Sequence, residues 1–143
     1  MGEEESILRP SDEVAERKQR TVLVVNREPA MNQLLQTLLT NEGYTVLAAT
    51  DLDTAARLLS SVRFDVVIAD YMELQFRRGV RWPILEMFKA LVDPGTPFIV
   101  LTTSPQAMLQ SAEQLGIADV IEKPFDLGSL LERINKAIAG RRR

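Results

Sequence analysis

From Thr21 onward, short β-branched apolar runs alternate with stretches of helical period, and this alternation restricts the fold more than any other feature of the chain. Val22-Leu23-Val24-Val25 is a continuous apolar run of strand length; Met31, Leu34, Leu35, Leu38 and Leu39 then recur at helical spacing. Pro29 suits the first turn of that helix and Gly43 its end. Thr45 to Ala49 reads as a second strand. Thr50 and Asp53 have the spacing of a capping box for a helix that turns Leu52, Ala55, Ala56, Leu59 and Val62 inward. Val66-Val67-Ile68-Ala69 is a third strand. The pattern lapses between Asp70 and Arg81, then resumes in a helix with Ile84, Leu85, Phe88, Leu91 and Val92, ended by Asp93-Pro94-Gly95. Phe98 to Leu101 is a fourth strand, and Ser104-Pro105 opens a helix with Met108, Ala112 and Leu115 inward and Gly116 past its end. Ala118 to Ile121 is a fifth strand. Asp126 caps a last helix, Leu127 to Ala139, with Phe125 and Leu130 as a hydrophobic staple.

Strands apolar on both faces, alternating with amphipathic helices, imply a parallel sheet covered on both sides. The expected fold is α/β: a flavodoxin-like (βα)5, doubly wound, five-stranded parallel sheet in three layers. The chain has 143 residues, room for one such domain. Residues 1–20, dominated by charge, read as a solvated arm, residues 21–140 as the domain and residues 141–143 as a basic tail. With no room for an output module, the chain is expected to act alone or to be cut from a longer protein.

Lys and Arg total 17 against 20 Asp and Glu, a formal charge of −3, which provides no broad basic face for nucleic acid. Three arginines at residues 141–143 are too short a run to change that expectation. There is no Cys and no His, which excludes disulfides, thiolate zinc sites and every Ser-His or Cys-His catalytic arrangement. No apolar run approaches the roughly 18 residues of a membrane span, and MGEEES lacks the basic and apolar regions of a secretory signal. The expectation is a cytoplasmic protein with neither nucleic-acid nor membrane partners.

In open parallel sheets, chemistry gathers beyond the carboxyl ends of the strands. The residues there are Asn26 and Arg27, Asp70, Thr102, and Lys123 with Pro124. One carboxylate, one hydroxyl and one ammonium meeting at a cleft suit phosphoryl chemistry, with the carboxylate as nucleophile and the other two binding phosphoryl oxygens. A plain ion pair between Asp70 and Lys123 accounts for the same residues equally well.

Four motifs, Val22-Leu23-Val24-Val25-Asn26-Arg27-Glu28-Pro29, Asp65-Val66-Val67-Ile68-Ala69-Asp70, Ile99-Val100-Leu101-Thr102 and Glu122-Lys123-Pro124-Phe125, in this order and spacing, resemble the receiver domain of bacterial two-component response regulators. The resemblance covers about Thr21 to Ala139. It implies that Asp70 stands at the phospho-acceptor position, Thr102 at the switch hydroxyl and Lys123 at the phosphoryl-contacting lysine, and that the Lys123-Pro124 bond is cis.

Three departures bear on function. The family's acidic pair after the first strand, which holds Mg²⁺ with the acceptor, is here Asn26 and Arg27, and a guanidinium cannot supply oxygen ligands. No cofactor is therefore expected beyond weak Mg²⁺ binding, with Arg27 in a salt bridge or water-mediated contact with Asp70 in place of the metal; Glu28 and Glu73 are alternative oxygen donors that read better as surface charges. The family's aromatic switch position is Val120, which suits a plain buried core. The loop after Asp70 has Leu74 where the family favours Pro, places Gly79 one residue late, and carries Phe76, Arg77, Arg78, Arg81 and Trp82. Those residue types make it the candidate partner surface, although Phe76 and Trp82 would equally fill packing under a long loop.

The resemblance implies a stand-alone, non-enzymatic receiver-like module of a two-component phosphorelay. It would act through contacts with a histidine kinase or a downstream target, and would pair with a second copy through the helices at about Pro105 to Leu115 and Leu127 to Ala139. The lost acidic pair makes Mg²⁺-dependent phosphorylation of Asp70 doubtful and favours a degenerate receiver. The alternative is a small flavodoxin-like enzyme or a cofactor- or nucleotide-binding protein. Against it, the first loop has no Gly, Ser or Thr to cradle a phosphate.

Overall fold

The computed structural model describes residues 20–70, 83–103, 105 and 112–141. Within them, five strands, β1 (Thr21–Val25), β2 (Thr45–Ala49), β3 (Val66–Asp70), β4 (Phe98–Thr102) and β5 (Asp119–Glu122), form one parallel sheet in the order β2-β1-β3-β4-β5. The helices are α1 (Pro29–Asn41), α2 (Leu52–Ser61), α3 (Pro83–Leu91), α4 (Ala112–Leu115) and α5 (Leu127–Arg141).

Successive side chains of a strand point to opposite faces, so apolar runs build two cores at once. Leu23, Val25, Val67, Ala69, Phe98 and Val100 pack with Ala55 and Leu59 of α2 and Leu85 and Phe88 of α3. Val22, Val24, Val66, Ile68, Ile99 and Leu101 pack with Leu35 and Leu39 of α1 and Leu130, Ile134 and Ile138 of α5. The expected three-layer, doubly wound fold is therefore the observed one.

Several local expectations shift. Leu34 does not join the buried stripe of α1 and is 48% exposed, while the buried positions are Asn32, Leu35 and Leu39. The cap of α2 is Asp51 and not Thr50: its carboxylate accepts from the Thr54 N–H at 2.7 Å and the Thr54 hydroxyl at 3.0 Å. A carboxylate is the stronger acceptor for the unpaired N–H groups of a first turn, which moves the start one residue along. Val62 lies beyond the end of α2, in extended backbone, and packs against the core from there.

Strands β3, β4 and β5 each run one residue further than their apolar runs, ending on Asp70, Thr102 and Glu122, because the ladder is a main-chain property. Helix α5 continues through Gly140 to Arg141, so the basic tail begins inside it. At the end of α1, Gly43 (φ 103°) lets its own N–H reach the Thr40 carbonyl and that of Tyr44 reach the Leu39 carbonyl. The staple holds: Phe125 packs on the cluster containing Leu130, and Asp126 accepts from the Ser129 N–H at 2.7 Å.

The arm up to residue 19, Ser104, Met108, the loop at residues 71–82 with its candidate partner residues Phe76, Arg77, Arg78, Arg81 and Trp82, and Arg142 and Arg143 lie outside the described residues.

Candidate functional site

The sheet order reverses between β1 and β3, and the crevice of a doubly wound sheet lies at such a switch, beyond the strand carboxyl ends. Asn26 follows β1 and Asp70 ends β3. Their neighbours Val25 and Ala69 are register partners, so the two residues stand side by side. Thr102 ends β4, and its carbonyl accepts from the Lys123 N–H at 2.8 Å, which fixes where the chain leaves β5. From there Lys123 reaches past β4 to Asp70.

Asp70 is 5% exposed, Asn26 5% and Thr102 3%. The Lys123 ammonium donates to Asp70 Oδ2 at 2.5 Å, and the Asn26 Nδ2 donates to the same oxygen at 3.4 Å. A buried carboxylate must be paired and hydrogen-bonded to remain charged, and these two donors do both. The Lys123-Pro124 bond is cis, as the family resemblance implied.

Asn26 is oriented by its own loop. Its Oδ1 accepts from the Glu28 N–H at 2.9 Å, and an N–H needs an oxygen opposite it, so the amide must turn its NH₂ toward Asp70. Its main-chain N–H extends the ladder to the Ala49 carbonyl at 3.1 Å. Arg27 and Glu28 are exposed on the same loop. Among the described residues Lys123 is an ion-pair partner of Asp70. Glu73 lies outside the described residues.

Val120 is 5% exposed and packs in the core with Phe98 and Val100. Its outward main-chain groups are engaged by side chains: its N–H bonds Asp119 Oδ1 at 2.8 Å and its carbonyl accepts from Arg133 at 3.2 Å.

Sequence reading found Asp70, Thr102 and Lys123 from topology alone. It treated Asn26 as a lost ligand and missed that it is a donor to Asp70. It also missed Asn32, a buried amide that an apolar-stripe analysis passes over. The sequence carried no signal for it, since Met31, Leu34, Leu35, Leu38 and Leu39 form an unbroken stripe and only the structure shows α1 exposing Leu34 and burying Asn32.

A family model, that of the response regulator receiver domain, matches residues 22–135. The chain is 31% identical over 122 residues to the transcriptional regulatory protein GlrR of Escherichia coli strain K12, a match covering 82% of this chain and 26% of GlrR. It is 34% identical over 116 residues to the transcriptional regulatory protein DltR of Streptococcus agalactiae serotype III, covering 79% of this chain and 49% of DltR. The matched region thus spans only about a quarter of the first relative and about half of the second. Among solved structures, a response regulator receiver domain protein from Clostridium thermocellum superposes with a TM-score of 0.72 at 25% identity, over 86% of this chain and 97% of that one. These matches give no support to the flavin- or nucleotide-binding alternative.

Proposed function

The chain belongs to the response regulator receiver domain family of two-component signalling, and on that premise we propose that it is a degenerate receiver, signalling through protein contacts without Mg²⁺-dependent phosphorylation of Asp70. One observation carries this reading: the Asn26 amide turns its nitrogen, and not its oxygen, toward Asp70 Oδ2. Mg²⁺ demands a near-octahedral set of oxygens. Asn26 commits its oxygen to the Glu28 N–H and turns its nitrogen toward Asp70, while Arg27 has no oxygen in its side chain to offer. This donor set does not fit the ion, and phosphoryl transfer depends on neutralising the moving oxygens.

Receiver domains work by contacts with kinases and effector domains, and the relatives above are transcriptional regulators. In this reading the partner, a histidine kinase or a downstream target, recognises the unmodified protein. The residue types of Phe76, Arg77, Arg78, Arg81 and Trp82 make their loop the first surface to test. No described helix is long and apolar enough to cross a membrane. The second reading is a working receiver in which Asp70 takes a phosphoryl group, and the placement of Lys123 on Asp70 favours it.

Intact-mass spectrometry after incubation with a small phosphodonor, with and without Mg²⁺, separates the two. The degenerate receiver gives no adduct under conditions that label an ordinary receiver. A Mg²⁺-dependent phosphate adduct that disappears in Asp70→Asn overturns it in favour of the working receiver.

A further inference from the structure

We propose that Asn32, in the first turns of α1, is a positioning residue that aims the Asn26 amide at Asp70; the inference depends on reading Asp70 as the functional carboxylate. Asn32 is 3% exposed, and its Nδ2 donates to two main-chain carbonyls, those of Asn26 and Ala49, each at 2.9 Å. The Ala49 carbonyl also accepts from the Asn26 N–H at 3.1 Å. Asn26 is therefore held at both its main-chain groups, and at its side-chain oxygen by the Glu28 N–H. With those three points fixed, the remaining group of Asn26, its NH₂, faces Asp70 Oδ2.

A second observation sets Asn32 apart from an ordinary turn-stabilising amide. Its own Oδ1 is buried with no hydrogen-bond partner among the described residues. A buried orphan acceptor is costly and rare, and an apolar residue of similar size would avoid it. Flipping the amide would set its oxygen against two carbonyls, so the orientation is dictated by the donors. The side chain is kept for its nitrogen, which clamps the end of β2 to the turn leaving β1.

The test reads the pocket directly and needs no phosphate. In ¹H–¹⁵N spectra, the side-chain NH₂ pairs of Asn26 and Asn32 are assigned from their loss in Asn26→Asp and Asn32→Leu. In the wild-type protein the Asn32 pair exchanges with water at least about tenfold more slowly than that of exposed Gln33, because both its hydrogens are bonded in the interior. In folded Asn32→Leu the Asn26 pair moves toward the position of a free amide, and in Asn32→Gln, which keeps the donor, it moves less. Asp70→Asn shifts the Asn26 pair and leaves that of Asn32 in place.

A folded Asn32→Leu protein with an unmoved Asn26 pair overturns the proposal. Should that variant not fold, wild-type exchange of Asn32 as fast as that of Gln33 overturns it as well. If partner binding is indifferent to Asp70→Asn while the amide signals behave as stated, the reading of Asp70 fails and the positioning geometry stands.

Discussion

Two donors converge on a single oxygen of Asp70, and with its side chain 6% exposed there is little water to replace either. Breaking a buried pair by removing one partner costs more than the pair contributes, because the other charge is left stranded. Lys123 is 23% exposed, which softens the loss, so Lys123→Met should destabilise the fold by about 1–3 kcal/mol. Asp70→Asn in the same chain should recover part of it, a coupling of at least about 1 kcal/mol in a urea-unfolding double-mutant cycle. Additive single effects would show that the contact carries no coupling. Asp51 yields a prediction with a pH sign. The Thr54 N–H, then the Thr54 hydroxyl, hold its carboxyl below its ordinary value of 3.8. The folded state thus binds that proton more weakly than the unfolded chain. The contribution is complete above the unfolded value and is lost as pH falls below 3.8 through the lower folded one. Thermal melts from pH 5 downward should show Asp51→Asn, which keeps a capping oxygen, losing less stability than the parent over that window. Identical pH profiles would remove the assignment. Asp70 and Lys123 were legible in the sequence because strand ends converge by topology. The Asn26 contact was not, since which end of an amide faces a carboxylate is decided by an N–H two residues further along.

Elements were legible wherever periodicity and packing agree, and they shifted wherever a polar group competes for an apolar position. In α1 the spacing of Met31, Leu34, Leu35, Leu38 and Leu39 fits a helix, yet the face that meets the sheet is rotated so that Asn32 is buried and Leu34 exposed. Spacing reports that a stripe exists; the hydrogen bonds to the Asn26 and Ala49 carbonyls decide where it is centred. Strands read one residue short for the converse reason, since Asp70 and Thr102 are polar in side chain but paired in main chain. The turn after α4 was readable from Gly116 alone, and the structure adds its cost of replacement. Gly116 has φ 72°, and a Cβ there would lie 2.3 Å from Lys89 Nζ, which donates to the Leu115 carbonyl at 2.8 Å. Gly116→Ala should lose about 1–2 kcal/mol from left-handed backbone strain. The flexible Lys89 side chain can swing away, at the loss of its hydrogen bond. A Lys89→Ala background removes the collision and the bond together, so the glycine substitution there should cost only the backbone part. An equal or larger cost in that background, measured by urea unfolding, would place the penalty elsewhere.

At the scale of the molecule, the strand order decides both where the site lies and how the fold melts. Every central strand gives alternate side chains to two cores that never meet, one covered by α2 and α3 and the other by α1 and α5. The candidate site lies at the strand ends on one of these faces: by alternation Asn26 follows Val24 and Asp70 follows Ile68 on the side covered by α1 and α5, and Asn32 of α1 clamps Asn26 there. Because β1, β3 and β4 are shared, neither core can be lost without stripping one face of strands the other still needs. Single domains of this size usually unfold as one cooperative unit. Methyl NMR during a urea titration should therefore give the same midpoint for Leu85, Val100 and Ile117 on one side as for Leu35, Leu130 and Ile134 on the other. Core truncations should obey the same logic. Leu35→Ala and Leu85→Ala, in different cores with no shared side-chain contacts, should each cost about 2–5 kcal/mol. Expressed together in a background stable enough to tolerate both, they should add to within about 0.5 kcal/mol while still moving both sets of methyl midpoints in step. Separate midpoints would mean that the sheet is a partition between two foldable halves.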